Sequence, residues 1–225
     1  MTLQSDESHF VHLHFLESGT ALPAPLSVWS LKFCVFKCVV DKCSAICALP
    51  IVLSVALILF ILNPFYNPGP VFFVQDRMGM GGKRFRMWTF RSMTVSDDPT
   101  RHVDAPLETH RVTPFSQVVR NYHLDELPNF FNVLKGDMSL VGPRPDAWDH
   151  SMHYVSSVLH YSERFRVRPG ITGLAQVYAG YADTARLVRR KAYLDRLYVR
   201  KSRIRLDLLI LWRTLIVVLS GFGAR

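Results

Sequence analysis

The alternation of apolar and polar residues divides the 225-residue chain into a patternless start, one long apolar run and a mixed body. Residues 1–31 show no strong period and carry Asp6, Glu7 and Glu17, with turn formers between Gly19 and Pro25. A poorly ordered extension is expected there. From Cys43 to Leu62 twenty residues pass without a charge, long enough for a helix to cross a bilayer. Pro50 falls inside that run, removes a helix hydrogen bond and bends the axis. A turn cluster comes next, Asn63-Pro64 and then Asn67-Pro68-Gly69-Pro70.

Beyond the cluster the pattern changes to that of a globular body. Val71 to Gln75 reads as a short strand, Met78 to Lys83 as a glycine-rich turn, and Arg84 to Phe90 alternates basic and apolar residues as a second strand. The two are expected to pair as a hairpin. Ser96 to Pro114 has loop composition. Helical character returns over Phe115–Tyr122 and Leu127–Leu134, and Pro143, Pro145, Pro169 and Gly170 break up the chain beyond. Thr184–Val199 is helical and strongly basic. Leu206–Leu219 is almost wholly apolar but short for a span, which favours a helix lying on the membrane surface over a buried core helix. The chain therefore divides into an extension (1–31), a membrane helix (32–63) and a cytosolic domain (64–225).

Charge settles how the apolar run is read. The net charge is +9, and all but three of the 27 basic residues follow Leu62. Those three, Lys32, Lys37 and Lys42, mark the front flank as cytoplasmic, and the basic body behind it is cytoplasmic by the same rule. Both ends on one side favour a re-entrant segment broken at Pro50 over a simple span. A basic surface beside such a segment suits anionic lipid or phosphorylated ligands. The mean hydropathy of +0.12 fits one membrane segment on a globular body. The four cysteines (Cys34, Cys38, Cys43, Cys47) all lie in or beside the apolar run, four or five residues apart, without the tight turn that metal sites use. They read as small apolar residues of a membrane helix, and nothing suggests a disulfide framework. The clustered His9, His12 and His14 read as residues of a polar tail.

The clearest candidate chemistry is Leu124-Asp125-Glu126-Leu127-Pro128-Asn129. Two consecutive carboxylates before a helix-initiating proline can accept a divalent cation, or one can attack phosphorus. Acidic residues at a helix start are also common caps, so the pair alone leaves both readings open. Gly142-Pro143-Arg144-Pro145 presents one arginine on a stiff loop suited to a phosphate clamp. Arg168-Pro169-Gly170-Ile171-Thr172-Gly173 repeats the construction, and Thr89-Phe90-Arg91-Ser92-Met93 adds an arginine after the hairpin.

These motifs, with Val71-Phe72-Phe73, Gln75, Arg77 and the run from Leu134 to Pro145, occur in the order seen in bacterial sugar transferases. The chain from about Lys32 onward resembles the monotopic phosphoglycosyl transferases that begin glycan assembly on a polyprenyl phosphate. That resemblance implies an α+β fold: a membrane-embedded re-entrant helix-break-helix, then a small, mainly helical cytosolic catalytic domain with a short β-hairpin and interfacial amphipathic helices. It implies a UDP-sugar donor, a polyprenyl (undecaprenyl) phosphate acceptor, release of UMP and Mg²⁺ as cofactor. Asp125 is the expected nucleophile, and Glu126 its partner as metal ligand or proton acceptor. Arg77, Arg91, Arg120, Arg144 and Arg168 are expected near phosphates, and Asp125 and Glu126 near the metal. The resemblance places the protein in the bacterial inner membrane, facing the cytoplasm and touching anionic lipid, in an exopolysaccharide, O-antigen or related pathway. Thr89, Thr109-His110 and Arg200-Lys201 depart from the family's usual residues, which bears on the choice of sugar.

The contrasting reading is a membrane-tethered basic binding or scaffold protein that holds its partners through Arg186–Arg205. It leaves the acidic pair and the Pro-Arg-Pro loop without a role. Stacking aromatics and helix-turn-helix spacing are not evident, so no nucleic-acid partner is expected.

Overall fold

The computed structural model describes residues 29–95, 108–179 and 185–220. The expected extension (1–31) lies almost wholly outside them, as do most of the loop before Pro114 and residues 180–184. Helix α1, Leu31–Tyr66, starts at Ser30, whose hydroxyl accepts from the Phe33 amide, and closes at Asn67, whose amide donates to the Asn63 carbonyl. It is longer than the expected 32–63. The backbone stays helical through Pro50, where the sequence predicts a break between two helices. A proline removes one ladder hydrogen bond, and the Ser54 hydroxyl donates to the Pro50 carbonyl one turn on, a pairing that bends a helix without ending it.

The buried positions of α1 are Lys37, Asp41, Ala45, Val52, Leu59 and Asn63, a single stripe at helical spacing. The other faces are exposed and apolar, with Val35, Val39, Ile46, Leu53, Leu57 and Phe60 all more than half accessible. Two charges in the stripe are satisfied by the body. The Lys37 ammonium meets Asp207 at 2.7 Å, and the Asp41 carboxylate accepts from the Ser139 hydroxyl and the Leu140 amide.

Strands β1 (Phe72–Met78) and β2 (Arg84–Phe90) form the expected antiparallel hairpin, with Phe72 opposite Phe90 and Met78 opposite Arg84. From Arg84 to Trp88 burial alternates along β2, sending Phe85 and Met87 inward and Arg84, Arg86 and Trp88 outward, while Phe90 on the opposite face is buried in the cluster with Val52 and Leu59 of α1. Helix α2 (Pro114–Asn121) begins with Thr113 capping the Ser116 amide and a proline in its first turn. Helix α3 (Asn129–Lys135) ends at Gly136, whose φ of 94° is the left-handed stop. Asn132 on α3 completes the outer edge of β2, accepting from the Trp88 amide at 3.0 Å and donating to the Arg86 carbonyl at 2.7 Å.

Strand β3 (Ser139–Val141) pairs in parallel with β4 (Gly170–Thr172), and the sequence pattern does not foresee this pair. It explains why the two proline-glycine motifs look alike, because they interlock. Gly142 donates to the Thr172 carbonyl and Gly170 to the Pro143 carbonyl. A Cβ on Gly142 would lie 2.5 Å from the Arg168 carbonyl, so only glycine permits this approach.

Helix α4 (Trp148–Ser157), also unforeseen, is followed by a 3₁₀ stretch at Tyr161–Arg166, the short α5 (Leu174–Ala179), the basic α6 (Ala185–Lys201) and α7 (Ile204–Ser220). Helix α7 buries Ile210 and turns Leu208, Leu209, Trp212, Leu215 and Ile216 outward, Trp212 at 62% exposure. It is therefore two-sided, gripping the body with one apolar face and leaving the other uncovered.

Candidate active site

Asp125 and Glu126 occupy a three-residue 3₁₀ turn, Leu124–Glu126, between α2 and α3. In a 3₁₀ turn residues three apart share a face. Leu124 and Leu127 do so, and both pack into the cluster formed by Val52 and Leu59 of α1 with Phe90 and Val119. Their burial fixes the turn and leaves the two intervening carboxylates to face away from that cluster. The chain enters through His123, held at φ 52°, a left-handed geometry uncommon outside glycine. The sequence places the pair just before a helix with Pro128 in its first turn; in the structure the pair does precede α3, and Pro128 is its N-cap.

The two carboxylates have different surroundings. Arg144 grips Glu126 bidentately, Nη1 to Oε2 at 2.8 Å and Nη2 to Oε1 at 2.6 Å. Burial alone would raise the Glu126 carboxyl, but Arg144 and His123 together hold it down at about 2. Asp125 is held by the Ser92 hydroxyl, which donates to Oδ2 at 3.2 Å. Burial pushes Asp125 up to about 6 and the Glu126 charge adds to the shift, against the opposing pull of Arg120, Arg144 and Ser92. His123 Nδ1 lies 3.8 Å from Glu126, whose carboxylate raises the imidazole above its ordinary value against the effect of burial. The site thus holds one fixed anion and one carboxylate poised between its two forms, among three basic side chains.

A second layer holds the Pro-Arg-Pro loop by its backbone. Arg77 donates to the Pro145 carbonyl at 3.0 Å, and Arg164 to the Arg144 carbonyl. Asp146 next along the chain receives Arg164, Lys191 at 2.5 Å and the Tyr161 hydroxyl at 2.6 Å. Burial alone would raise Asp146, but these cations, Lys191 foremost, hold it well below the carboxylate range. Arg164 also reaches Asp195 at 3.0 Å, both almost fully buried.

Of the five arginines singled out from sequence, Arg120 and Arg144 act on the acidic pair. Arg77 ties down the loop. Arg91 lies against Gly69, where a Cβ would run into its guanidinium. Arg168 lines a separate cavity beside α1. Ser92 and His123 touch the acidic pair and are neighbours that sequence reasoning passes over. Ser92 stands beside the arginine that draws attention in the Phe-Arg-Ser-Met motif, and His123 stands two residues before Asp125. For a divalent cation, both Glu126 oxygens are engaged by Arg144, so Asp125 is the carboxylate better placed to ligate. One carboxylate together with substrate phosphates is the usual way Mg²⁺ is held. Among the described residues no cluster of three metal-ligating side chains exists.

Comparison with known proteins finds relatives along most of the chain. The chain is 39% identical over 214 residues to the UDP-N-acetylgalactosamine-undecaprenyl-phosphate N-acetylgalactosaminephosphotransferase of Aeromonas hydrophila, covering 95% of this chain and 49% of that protein. It is 42% identical over 191 residues to the UDP-glucose:undecaprenyl-phosphate glucose-1-phosphate transferase of Xanthomonas campestris pv. campestris, covering 84% and 40%. A Caulobacter vibrioides protein of the same name as the latter is 39% identical over 160 residues, covering 70% and 60%. The chain spans about half or less of the length of the first two relatives. The family model described as bacterial sugar transferase matches residues 32–221, and the chain belongs to that family.

Proposed function

We propose that the protein transfers a sugar 1-phosphate from a UDP-sugar to a polyprenyl phosphate at the inner membrane through a covalent intermediate on Asp125. The observation that carries this reading is the unequal pair, in which Glu126 is locked by Arg144 while Asp125 stays free to change its charge. An ionised Asp125 oxygen attacks the β-phosphorus, and the bond from that phosphorus to the bridging oxygen breaks. UMP leaves with the bridging oxygen. An oxygen of the acceptor phosphate then attacks the same phosphorus, the Asp125 carboxylate departs, and polyprenyl diphosphosugar results. Arg120 and Arg144 offset charge on the diphosphate, since phosphoryl transfer rests on positioning and charge neutralisation. Mg²⁺, held by Asp125 and the diphosphate, would supply further neutralisation.

The same reading puts the reaction at the cytoplasmic face, with anionic lipid around the basic body. The α1 contacts from Lys37 to Asn63 cover about 40 Å of helix at 1.5 Å per residue. The body therefore flanks more of α1 than the roughly 30 Å hydrocarbon core is thick, which disfavours a perpendicular span. A re-entrant or shallow α1, bent at Pro50, keeps the body on one side. The product would begin an exopolysaccharide, O-antigen or related glycan.

The test is incubation of membranes carrying the protein with radiolabelled UDP-sugars, Mg²⁺ and undecaprenyl phosphate. UMP release and a labelled lipid are expected, and no turnover across a broad panel of UDP-sugars would sink the proposal. Asp125→Asn should lower turnover by more than about 1,000-fold, as loss of a nucleophile does. It should also abolish a trapped phosphosugar adduct; an adduct that survives removes Asp125 as the nucleophile.

A further inference from the structure

A cavity of about 230 Å³ lies between the first half of α1 and the segment Arg166–Arg168. None of its lining residues is among those that act on Asp125 or Glu126. Trp29, Cys34 and Cys38 give it apolar walls, and Lys37, Asp41, Arg166 and Arg168 bring charge. Lys37 is neutralised by Asp207. The two arginines are different. The Arg166 Nε is buried with no hydrogen-bond partner, and among the described residues neither guanidinium has a carboxylate partner. Asp41 contributes one anion whose Oδ2 is likewise buried and unpartnered. Counting both arginines and the Lys37–Asp207 pair against Asp41, the cavity carries one net positive charge.

Asp41 is satisfied through Oδ1, so what the cavity leaves unmet is the Arg166 Nε and the Asp41 Oδ2, one donor and one acceptor that an occupant could pair. The complement is a single negative charge beside a hydrogen-bond donor. The apolar walls come from the front of α1, where neighbouring Leu31 is 79% exposed and Val35 55%. An occupant with a polar head in the cavity and an apolar body along that face fits both features.

We propose that this cavity binds the headgroup of a membrane glycerophospholipid, its phosphodiester on Arg166 and Arg168 and a headgroup hydroxyl or ammonium on Asp41. A phosphodiester carries one charge, matching the cavity, whereas a phosphate monoester or a diphosphate carries more. The bound lipid is therefore not the reacting acceptor but a resident that fastens the front half of α1 to the leaflet. This rests on the reading that the outer face of α1 lies in lipid. Lipid binding is measured without turnover, so its failure leaves the transferase reading standing.

The test is native mass spectrometry of the delipidated full chain in detergent, titrated separately with phosphatidylglycerol, phosphatidylethanolamine, phosphatidylcholine and inorganic phosphate. Phosphatidylglycerol and phosphatidylethanolamine should bind about tenfold more tightly than phosphatidylcholine, whose headgroup has no donor for Asp41. Asp41→Asn should narrow that difference. Arg166→Gln with Arg168→Gln should weaken all three lipids about tenfold or more, while Arg189→Gln on exposed α6 should not. Equal binding of the three lipids, or no lipid adduct on the full chain, would overturn the proposal. So would tight binding of inorganic phosphate alone. If the double variant does not fold, the discrimination between lipids by the unaltered protein decides.

Discussion

At the residue scale, the difference between two adjacent carboxylates gives the sharpest expectations. Asp125 holds its proton up to about 6 in the folded protein, against an ordinary 3.8. The folded state binds more protons between those values, so this group's contribution to stability is present below 3.8 and lost as pH rises through about 6. Glu126 runs the opposite way, from an ordinary 4.5 down to about 2, and its contribution is lost as pH falls through that window. A carbon-13 NMR titration of metal-free protein should find the Asp125 midpoint near 6. Glu126→Gln should move it lower, because one repelling charge disappears and Arg144 is released toward Asp125. An unchanged midpoint would mean that burial alone sets it. Arg144→Lys should cost about tenfold or more in turnover, since an ammonium cannot reproduce the two-pronged contact. The carboxylate pair and Arg144 are legible in the sequence because they sit in dense motifs. Ser92 is not, because a hydroxyl next to an arginine carries no signal of its own. The network of Asp146, Tyr161, Arg164, Lys191 and Asp195 is illegible for another reason, since only folding brings those five positions together.

At the scale of elements, regular alternation reveals structure and backbone approach hides it. The hairpin is readable because β2 alternates inward and outward residues, and α6 because Val188, Ala192, Asp195 and Val199 recur on one buried face. The β3–β4 pair leaves no such trace, because two three-residue strands joined across the sequence offer only glycines as a clue. Those glycines make the pair testable. Gly142→Ala must move the Arg168 carbonyl or distort Arg144's loop, and should destabilise the protein by about 2 kcal/mol or more. Thermal unfolding measures that loss, and an unaltered midpoint would contradict the close approach. Asn132→Ala tests the joint between α3 and β2. It removes two side-chain hydrogen bonds at the sheet edge, and about 2 kcal/mol of stability should go with them. Activity should fall too, because α3 begins directly after the acidic turn.

At the scale of the whole molecule, the uncovered apolar surfaces belong to α1 and α7, and Lys37 bonded to Asp207 ties the two helices together. Two surfaces so joined predict a body fastened along its length to one leaflet. A cysteine introduced at residue 20 and another placed beyond residue 70 should react from the same side of sealed vesicles with an impermeant maleimide. Labelling from opposite sides would require a true crossing. The native Cys43 and Cys47, exposed on α1, should be shielded from the reagent until detergent is added. The Lys37–Asp207 pair also has a consequence in time. Its partners are 170 residues apart, so while the chain is being synthesised the lysine leaves the ribosome long before its aspartate exists. The apolar helix carries an unmatched charge while those 170 residues are made, which discourages it from committing to the bilayer alone. Final seating of α1 is thereby left until α7 is made.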